Sequence, residues 1–152
     1  MGNLPPAQLV LERSLVIANQ LQLPDIVALA QLSLGNTART QADPKTALNF
    51  YQQAAASSPN NYIRVQAQLN QLNLLVDTKQ QDAVKTLLPQ LKQQIETLPK
   101  SQIAIEARLN LAQTMMQMQE KKADGISLHY IAQLLAIAVQ QADRIRKPSY
   151  PS

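Results

Sequence analysis

The apolar residues of this chain recur every three or four positions over most of its length. This spacing places them on one side of a helix, and proline, serine and asparagine residues divide the pattern into seven segments. In the first segment, Val10, Leu11, Leu15, Ala18 and Leu21 form the predicted apolar stripe. We predict helices over about 6–22, 25–39, 44–57, 62–77, 80–98, 102–121 and 128–146.

Helix-start signals support these boundaries. Asp43 followed by Pro44 combines a capping carboxylate with a proline at a position that needs no amide donor. Pro89 lies inside the fifth segment, where it should kink or restart the helix. The caps expected for the later helices are Asn60 or Asn61, Ser101 and Ser127.

A tetrapeptide recurs in the second helix and in the two later even-numbered helices. Its copies are Ala30–Gln31–Leu32–Ser33, Ala67–Gln68–Leu69–Asn70 and Ala107–Arg108–Leu109–Asn110, at spacings of 37 and 40 residues. A helical pair of this length cannot bury its apolar face alone, so repeated pairs stack. We therefore predict an all-α solenoid in one domain, 1–152, with a leading helix over 6–22 and helical pairs over about 25–58, 62–98 and 102–146.

The best-formed copy, residues 28–61, resembles the tetratricopeptide repeat. The residues that carry the resemblance are Leu34–Gly35, Ala47, Tyr51, Ala54 and Pro59. Gln31 and Ala38 depart from the family pattern, and Leu72 and Ala112 stand at the position of Gly35 in the later copies. The resemblance implies a right-handed superhelix of about seven helices. Gly35 and Ala47 would then let two helices approach closely, and Tyr51 would fill the space between neighbouring pairs. The resemblance also implies a scaffold for protein–protein interaction.

Three phrases resemble the degenerate repeats of large cyanobacterial proteins that carry a caspase-like CHAT peptidase domain. They are residues 32–37, 98–101 and 107–113. This resemblance implies that the chain is a fragment of a longer protein. The peptidase would then lie elsewhere, because a His–Cys pair cannot be built from a chain without cysteine.

The amino-acid composition limits the kinds of active site that the chain can form. There is no Cys, His129 is the only histidine, no phosphate-binding glycine motif occurs, and the ten acidic residues are scattered. We therefore expect no enzymatic activity, metal or cofactor, and a structural or surface role for His129. We also expect no membrane segment, since no apolar run is long enough. We expect no secretion signal, because residues 1–6 lack a basic start followed by an apolar block. Met115, Met116 and Met118 recur at helical spacing, which favours a place in the core.

The net charge of +4 raises the possibility of nucleic-acid binding. The basic clusters Lys121–Lys122 and Arg144–Arg146–Lys147 lie at predicted helix ends, where cations complement the helix dipole. Few aromatic residues are present for base stacking, and no basic stripe follows a helix. We therefore expect no nucleic-acid partner.

A set of polar residues, which we call the polar ladder, shares one face of the first helix of each pair. Amides suit an extended peptide backbone because they both donate and accept hydrogen bonds. Leu32, Leu69 and Leu109 replace the basic residues that the resembled family uses to grip a carboxylate, so an acidic C-terminus is not the expected ligand. The polar ladder consists of Asn36, Arg39, Asn70, Asn73, Asn110 and Gln113.

The sequence is compatible with two interpretations of the polar ladder. It lines a groove for a protein or peptide partner, or its amides are solvated or join neighbouring helices. The leading functional hypothesis is a non-catalytic interaction scaffold. The alternative is a structural spacer, or a module that self-associates through its first and last helices.

Overall fold

The computed structural model describes the backbone of residues 5–120 and 128–146 and the side chains of 5–118 and 130–146. This part of the chain is entirely helical, with seven α-helices and no strand, so the all-α prediction is confirmed. The helices are α1 (Pro6–Gln20), α2 (Pro24–Thr40), α3 (Pro44–Ser57), α4 (Asn61–Asp77), α5 (Gln81–Glu96), α6 (Gln102–Glu120) and α7 (Leu128–Arg146).

The start of α3 has the predicted chemistry. Pro44 is the first residue of the helix, and the amide of Thr46 donates a hydrogen bond to Asp43 Oδ1 at 3.2 Å. Hydrogen bonding from the Thr46 side chain, and then from its backbone amide, lowers the pKa of the Asp43 carboxyl group, because it favours the charged form. Asp43 is therefore a true N-cap.

Two later helices also begin with the expected caps. At α4 the amide of Tyr62 donates to Asn60 Oδ1 at 2.9 Å, so Asn60 is the capping residue rather than the asparagine after it. At α6 the amide of Ala104 donates to Ser101 Oγ at 3.2 Å. The predicted cap at Ser127 lies outside the described residues.

Three interhelical turns share a geometry that the sequence does not signal. Gln22, Ala42 and Lys79 adopt φ values of 55°, 58° and 58°, in the left-handed region that normally favours glycine. In each turn the next amide bonds the carbonyl group five residues earlier, as in a Schellman motif. The bonds are Leu23 N to Ala18 O, Asp43 N to Ala38 O and Gln80 N to Leu75 O.

Pro89 does not restart the fifth helix, so that part of the prediction is wrong. α5 continues through it without a break from Gln81 to Glu96. Pro89 and Lys85, whose carbonyl group loses its helical donor, are both exposed. Water can satisfy that carbonyl, which explains why the helix tolerates the proline here.

The chain divides into two compact units, Met1–Leu74 and Leu75–Ser152. In the first unit, α2 packs against both α1 and α3. Helices that follow one another in the chain thus contact each other, as a series of helical hairpins requires. The core of this unit contains Ala38, Ala47, Tyr51 and Leu74, with Leu32 and Leu48 packed against it.

Close packing between α2 and α3 depends on Gly35. A Cβ atom placed on Gly35 would lie 2.5 Å from Cε1 of Tyr51, closer than real carbon atoms approach. Tyr51, Ala47 and Ala54 are completely buried. Gly35 therefore lets α2 and α3 approach closely, as expected, and the tyrosine ring fills the space beside it within the same pair.

α1 buries only part of its predicted apolar stripe. Ala18 is its only buried side chain, and Leu11 and Leu15 are half-buried. Val10 and Leu21, at one edge of the stripe, are 62% and 63% exposed. The reason is that α2 covers only one side of α1, and the apolar residues of α1 extend beyond it.

In the second unit, α6 packs against α5 and α7. Met115 and Met118 are buried in this core, as predicted. Met116 is 45% exposed, so its assignment to the core is wrong. Consecutive methionines point about 100° apart on a helix, and only one of the pair can face the same neighbour.

The second position of the recurring tetrapeptide is a buried polar side chain in every copy. Gln31, Gln68 and Arg108 are 8%, 8% and 6% exposed. Gln31 bonds Gln53 and Ser57 on α3, whereas Gln68 Oε1 has no hydrogen-bond partner in the described part of the chain. The recurrence thus marks a structural position of the fold as well as a sequence pattern.

Candidate functional site

The polar ladder lies at the surface of α2, α4 and α6. Asn36 and Gln113 are exposed, and the other four members are half-buried. On α2, Leu29 and Ser33 precede Asn36 by seven and three residues and so share its face. This face therefore changes from apolar to polar along α2, and Leu29 is 45% exposed.

Asn36 is the junction of the ladder in the first unit. Its Oδ1 accepts a hydrogen bond from the Tyr51 hydroxyl group at 2.8 Å and another from Asn70 Nδ2 at 3.2 Å. The two asparagines belong to α2 and α4 and are 34 residues apart. The structure therefore brings these two predicted residues into direct contact, and a buried tyrosine fixes the orientation of the first.

Arg39 adds positive charge to the same cluster. It hydrogen-bonds the Tyr51 hydroxyl group from one helical turn beyond Asn36. Burial raises the pKa of Tyr51, and the Arg39 charge and hydrogen bond oppose that rise. Tyr51 consequently stays a neutral hydroxyl that donates to Asn36 at ordinary pH.

The hydrogen-bond chain continues along α4. Gln66 Nε2 donates to Asn70 Oδ1 at 3.2 Å, one turn apart on an exposed surface. In this series of hydrogen bonds, Gln66 donates to Asn70 and Asn70 donates to Asn36. Asn36 Oδ1 thus accepts hydrogen bonds from both Asn70 and Tyr51. Within the described part of the protein, the Asn36 amide nitrogen and Gln66 Oε1 have no partner, so a donor and an acceptor remain available at the surface.

The hydrogen bonds described above do not include the remaining ladder residues, Asn73, Asn110 and Gln113. Asn73 follows Asn70 by one turn on α4 and is half-buried. Asn110 and Gln113 lie on α6 in the second unit, again one turn apart. The site that the geometry defines most clearly is therefore the cluster of Asn36, Arg39, Asn70, Tyr51 and Gln66, which we call the amide cluster.

Tyr51 and Gln66 are the members of the amide cluster that sequence reasoning did not include. Tyr51 was assigned a packing role only, because its ring matches an aromatic repeat position. A signal was nevertheless present, since the hydroxyl group of a buried tyrosine requires a partner and Asn36 lies beside Gly35. Gln66 is one of many glutamines in the chain, and its sequence context does not distinguish it.

Other candidate chemistry has little geometric support in the described residues. No group of three or more potential metal ligands occurs among them, and none of their helices is long and apolar enough to cross a membrane. The side chain of His129 and the residues Lys121, Lys122 and Lys147 lie outside the described part. Arg144 and Arg146 are in the last turn of α7, where Arg146 pairs with Asp143 at 2.8 Å.

Comparison with known proteins gives no relative. No protein-family model matches the chain, and neither a curated protein nor a solved structure is significantly similar to it.

Proposed function

We propose that the protein is a non-catalytic interaction scaffold that binds an extended segment of a partner protein across the amide cluster. The observation that carries this proposal is the double hydrogen bond at Asn36 Oδ1, from Tyr51 and Asn70. It holds two surface amides of neighbouring helices in a fixed geometry. Side chains that are already ordered lose less entropy when a ligand binds.

The unpaired groups of the amide cluster match a peptide backbone. The Asn36 amide nitrogen can donate to a peptide carbonyl group, and Gln66 Oε1 can accept from a peptide N–H. The Arg39 charge makes the environment favourable for carbonyl oxygens and acidic side chains. Leu29, two turns before Asn36, offers an apolar contact on the same face.

The sequence resemblance supports the same class of function. Repeats like residues 28–61 stack into interaction scaffolds, and we extend that role to this chain as a tetratricopeptide-like module. We further propose, from the three phrases described above, that it accompanies a CHAT-type peptidase domain in a longer cyanobacterial protein. Both proposals rest on sequence patterns and are independent of the amide cluster.

A peptide-display selection tests the binding proposal. Random linear peptides are selected on the wild-type protein, and the affinity of the best peptide is measured by fluorescence anisotropy. We expect Asn36→Ala to weaken binding by about 1 to 3 kcal/mol, because a desolvated peptide group loses its partner. Asn70→Ala should have a similar effect, since Gln66 then loses the acceptor that holds its side chain in place.

Gln52→Ala is the matched control. Gln52 is an exposed amide on α3, next to Tyr51 in the chain but outside the amide cluster. The Gln52→Ala substitution should leave both the affinity for the peptide and the melting temperature unchanged. Peptides that bind Asn36→Ala as tightly as the wild type would show that the amide cluster is not the binding site.

A further inference from the structure

α1 presents a broad apolar face that the rest of its unit leaves uncovered. Helical spacing places Leu9, Val10, Val16, Ile17 and Leu21 on the side away from α2, and each is between 41% and 63% exposed. Arg13 lies in the middle of this face and is the one charged residue on it. Five large apolar side chains on one helical face are typical of an interaction surface.

α7 has an uncovered face of a different kind. Its buried side consists of Ile131, Leu134, Ala138 and Gln141. Beside that stripe lies an exposed face in which small alanines outnumber larger apolar residues. Its members are Ala132, Leu135, Ala136, Val139, Ala142, Asp143 and Arg146.

The two faces complement each other in size and charge. Bulky side chains pack closely against a helix that presents alanines, because the small residues allow the helix axes to approach. With Arg13, the middle residue of α1, opposite Val139, the whole of α1 spans α7 from Ala132 to Arg146. Asp143 is then about 6 Å further along the axis, within the reach of an arginine side chain.

The present partner of Asp143 does not prevent this contact. Asp143 pairs with Arg146 of its own helix, and the two side chains are 56% and 73% exposed. An ion pair in water contributes little, so exchanging Arg146 for Arg13 of another molecule costs little. The contact would also place a cation beside the single acidic side chain of α7.

Symmetric pairing of α1 with itself is less favourable. A two-fold axis through the middle of the face would bring the two Arg13 side chains close together, without an acidic residue on the face to separate them. Pairing of two α7 faces would set alanines against alanines and bury little apolar area. The complementary contact is therefore between α1 of one molecule and α7 of another.

We propose that the protein self-associates head to tail, with the exposed face of α1 in one copy packed on the exposed face of α7 in the next. This inference is independent of the peptide-binding proposal, because it uses none of the residues of the amide cluster. A contact between unlike faces leaves one face free at each end, so association continues to larger oligomers as concentration rises.

Two blocking variants test the proposal by sedimentation velocity over a wide concentration range. Ile17→Glu places a charge on the α1 face, and Val139→Glu places one on the α7 face. The wild type should form oligomers that grow with concentration, and each variant alone should remain monomeric. An equimolar mixture of the two should form a dimer and stop there, because each variant retains the one face that the other lacks.

Charge variants and a control complete the test. Arg13→Asp should weaken association about tenfold, and adding Asp143→Arg in the same chain should restore it. Ile103→Glu, at a 53% exposed apolar residue of α6, should leave association unchanged. Circular dichroism verifies that every variant is folded.

Each alternative outcome overturns the proposal. A wild type that stays monomeric has no such contact. A dimer of Val139→Glu alone indicates pairing between α1 faces, and a dimer of Ile17→Glu alone indicates pairing between α7 faces. Two monomeric variants whose mixture fails to dimerise would show that the two faces do not bind each other.

Discussion

The two units place a polar side chain at the same position of the recurring tetrapeptide, but its surroundings differ. In the first unit, Gln31 donates to Gln53 Oε1 at 3.2 Å and accepts from Ser57 Oγ at 2.9 Å. Both partners are exposed residues. The link between α2 and α3 is therefore a neutral contact at the edge of the core, and water can replace it.

In the second unit, Arg108 joins three helices from a more enclosed position. It donates to Ile95 O near the end of α5 and to Gln141 Oε1 on α7, each at 3.1 Å. Both of these residues are buried. The carbonyl end of α5 carries partial negative charge, which helps to stabilise a buried cation that contacts no carboxylate among the described side chains.

The comparison shows that burial of the partners determines how much a polar contact matters. An exposed partner regains water when its contact is lost, whereas a buried partner remains unsatisfied. Equivalent positions in a repeat can therefore differ greatly in their contribution to stability.

The largest effect is expected at Arg108. Arg108→Leu leaves Gln141 Oε1 without its donor inside the core, and the Ile95 carbonyl group keeps only the Leu98 amide as a donor. We expect the free energy of unfolding to fall by about 2 to 4 kcal/mol, measured by urea denaturation followed by circular dichroism. Gln31→Leu is the matched comparison and should change it by less than about 1 kcal/mol. Equal losses in the two variants would contradict the role assigned to partner burial.

A smaller effect is expected at Gly35, where the two units differ again. The corresponding residue of the second unit, Ala112, already has a Cβ atom and is fully buried. Gly35→Ala should destabilise the protein by about 1 to 2 kcal/mol, because overpacking against Tyr51 outweighs the better helix propensity of alanine.

The sign of the Gly35 effect should depend on the tyrosine. In a Tyr51→Leu background the clash is absent, so the same substitution should become neutral or stabilising. A double-mutant cycle on melting temperature measures this coupling. Additive effects would mean that Tyr51 is not the residue that requires glycine.

The smallest effect concerns the left-handed turn residues, which the units share. Ala42→Gly in the first unit and Lys79→Gly in the second should each stabilise the protein by up to about 1 kcal/mol, because glycine adopts positive φ without strain. Lys85→Gly, inside α5, is the control and should destabilise by about 1 kcal/mol. Thermal unfolding compares the three, and a loss of stability in both turn variants would contradict the shared turn geometry.

Sequence patterns predicted the local structure well because local structure has local causes. Apolar spacing located all seven helices. Side-chain oxygen atoms of Asp43, Asn60 and Ser101 cap three of them, α3, α4 and α6, as expected. The turn at Ala42 gave no signal, since neither glycine nor asparagine stands there. The hydrogen bond from Asp43 N to Ala38 O closes this turn with a positive φ at Ala42, against the preference of the residue.

The site was predicted in part. Periodicity placed Asn36 and Asn70 on equivalent helical faces, and the structure joins them by a hydrogen bond. It could not supply the relative shift of α2 and α4, which decides which amides meet. The burial of Arg108 was also not foreseen, because a charged residue is usually exposed and its neutral partners lie on two other helices.

The limited burial of α1 also has a consequence for local opening of the native protein. Ala18 is its one buried side chain, and Gln41 Nε2 donates to Gln8 Oε1 at 3.1 Å on an exposed surface. Detaching this helix therefore costs less free energy than opening the core around Tyr51. Amide hydrogens of α1 should exchange with deuterium sooner than those of α2 and α3, through an opening that leaves the rest of the unit folded.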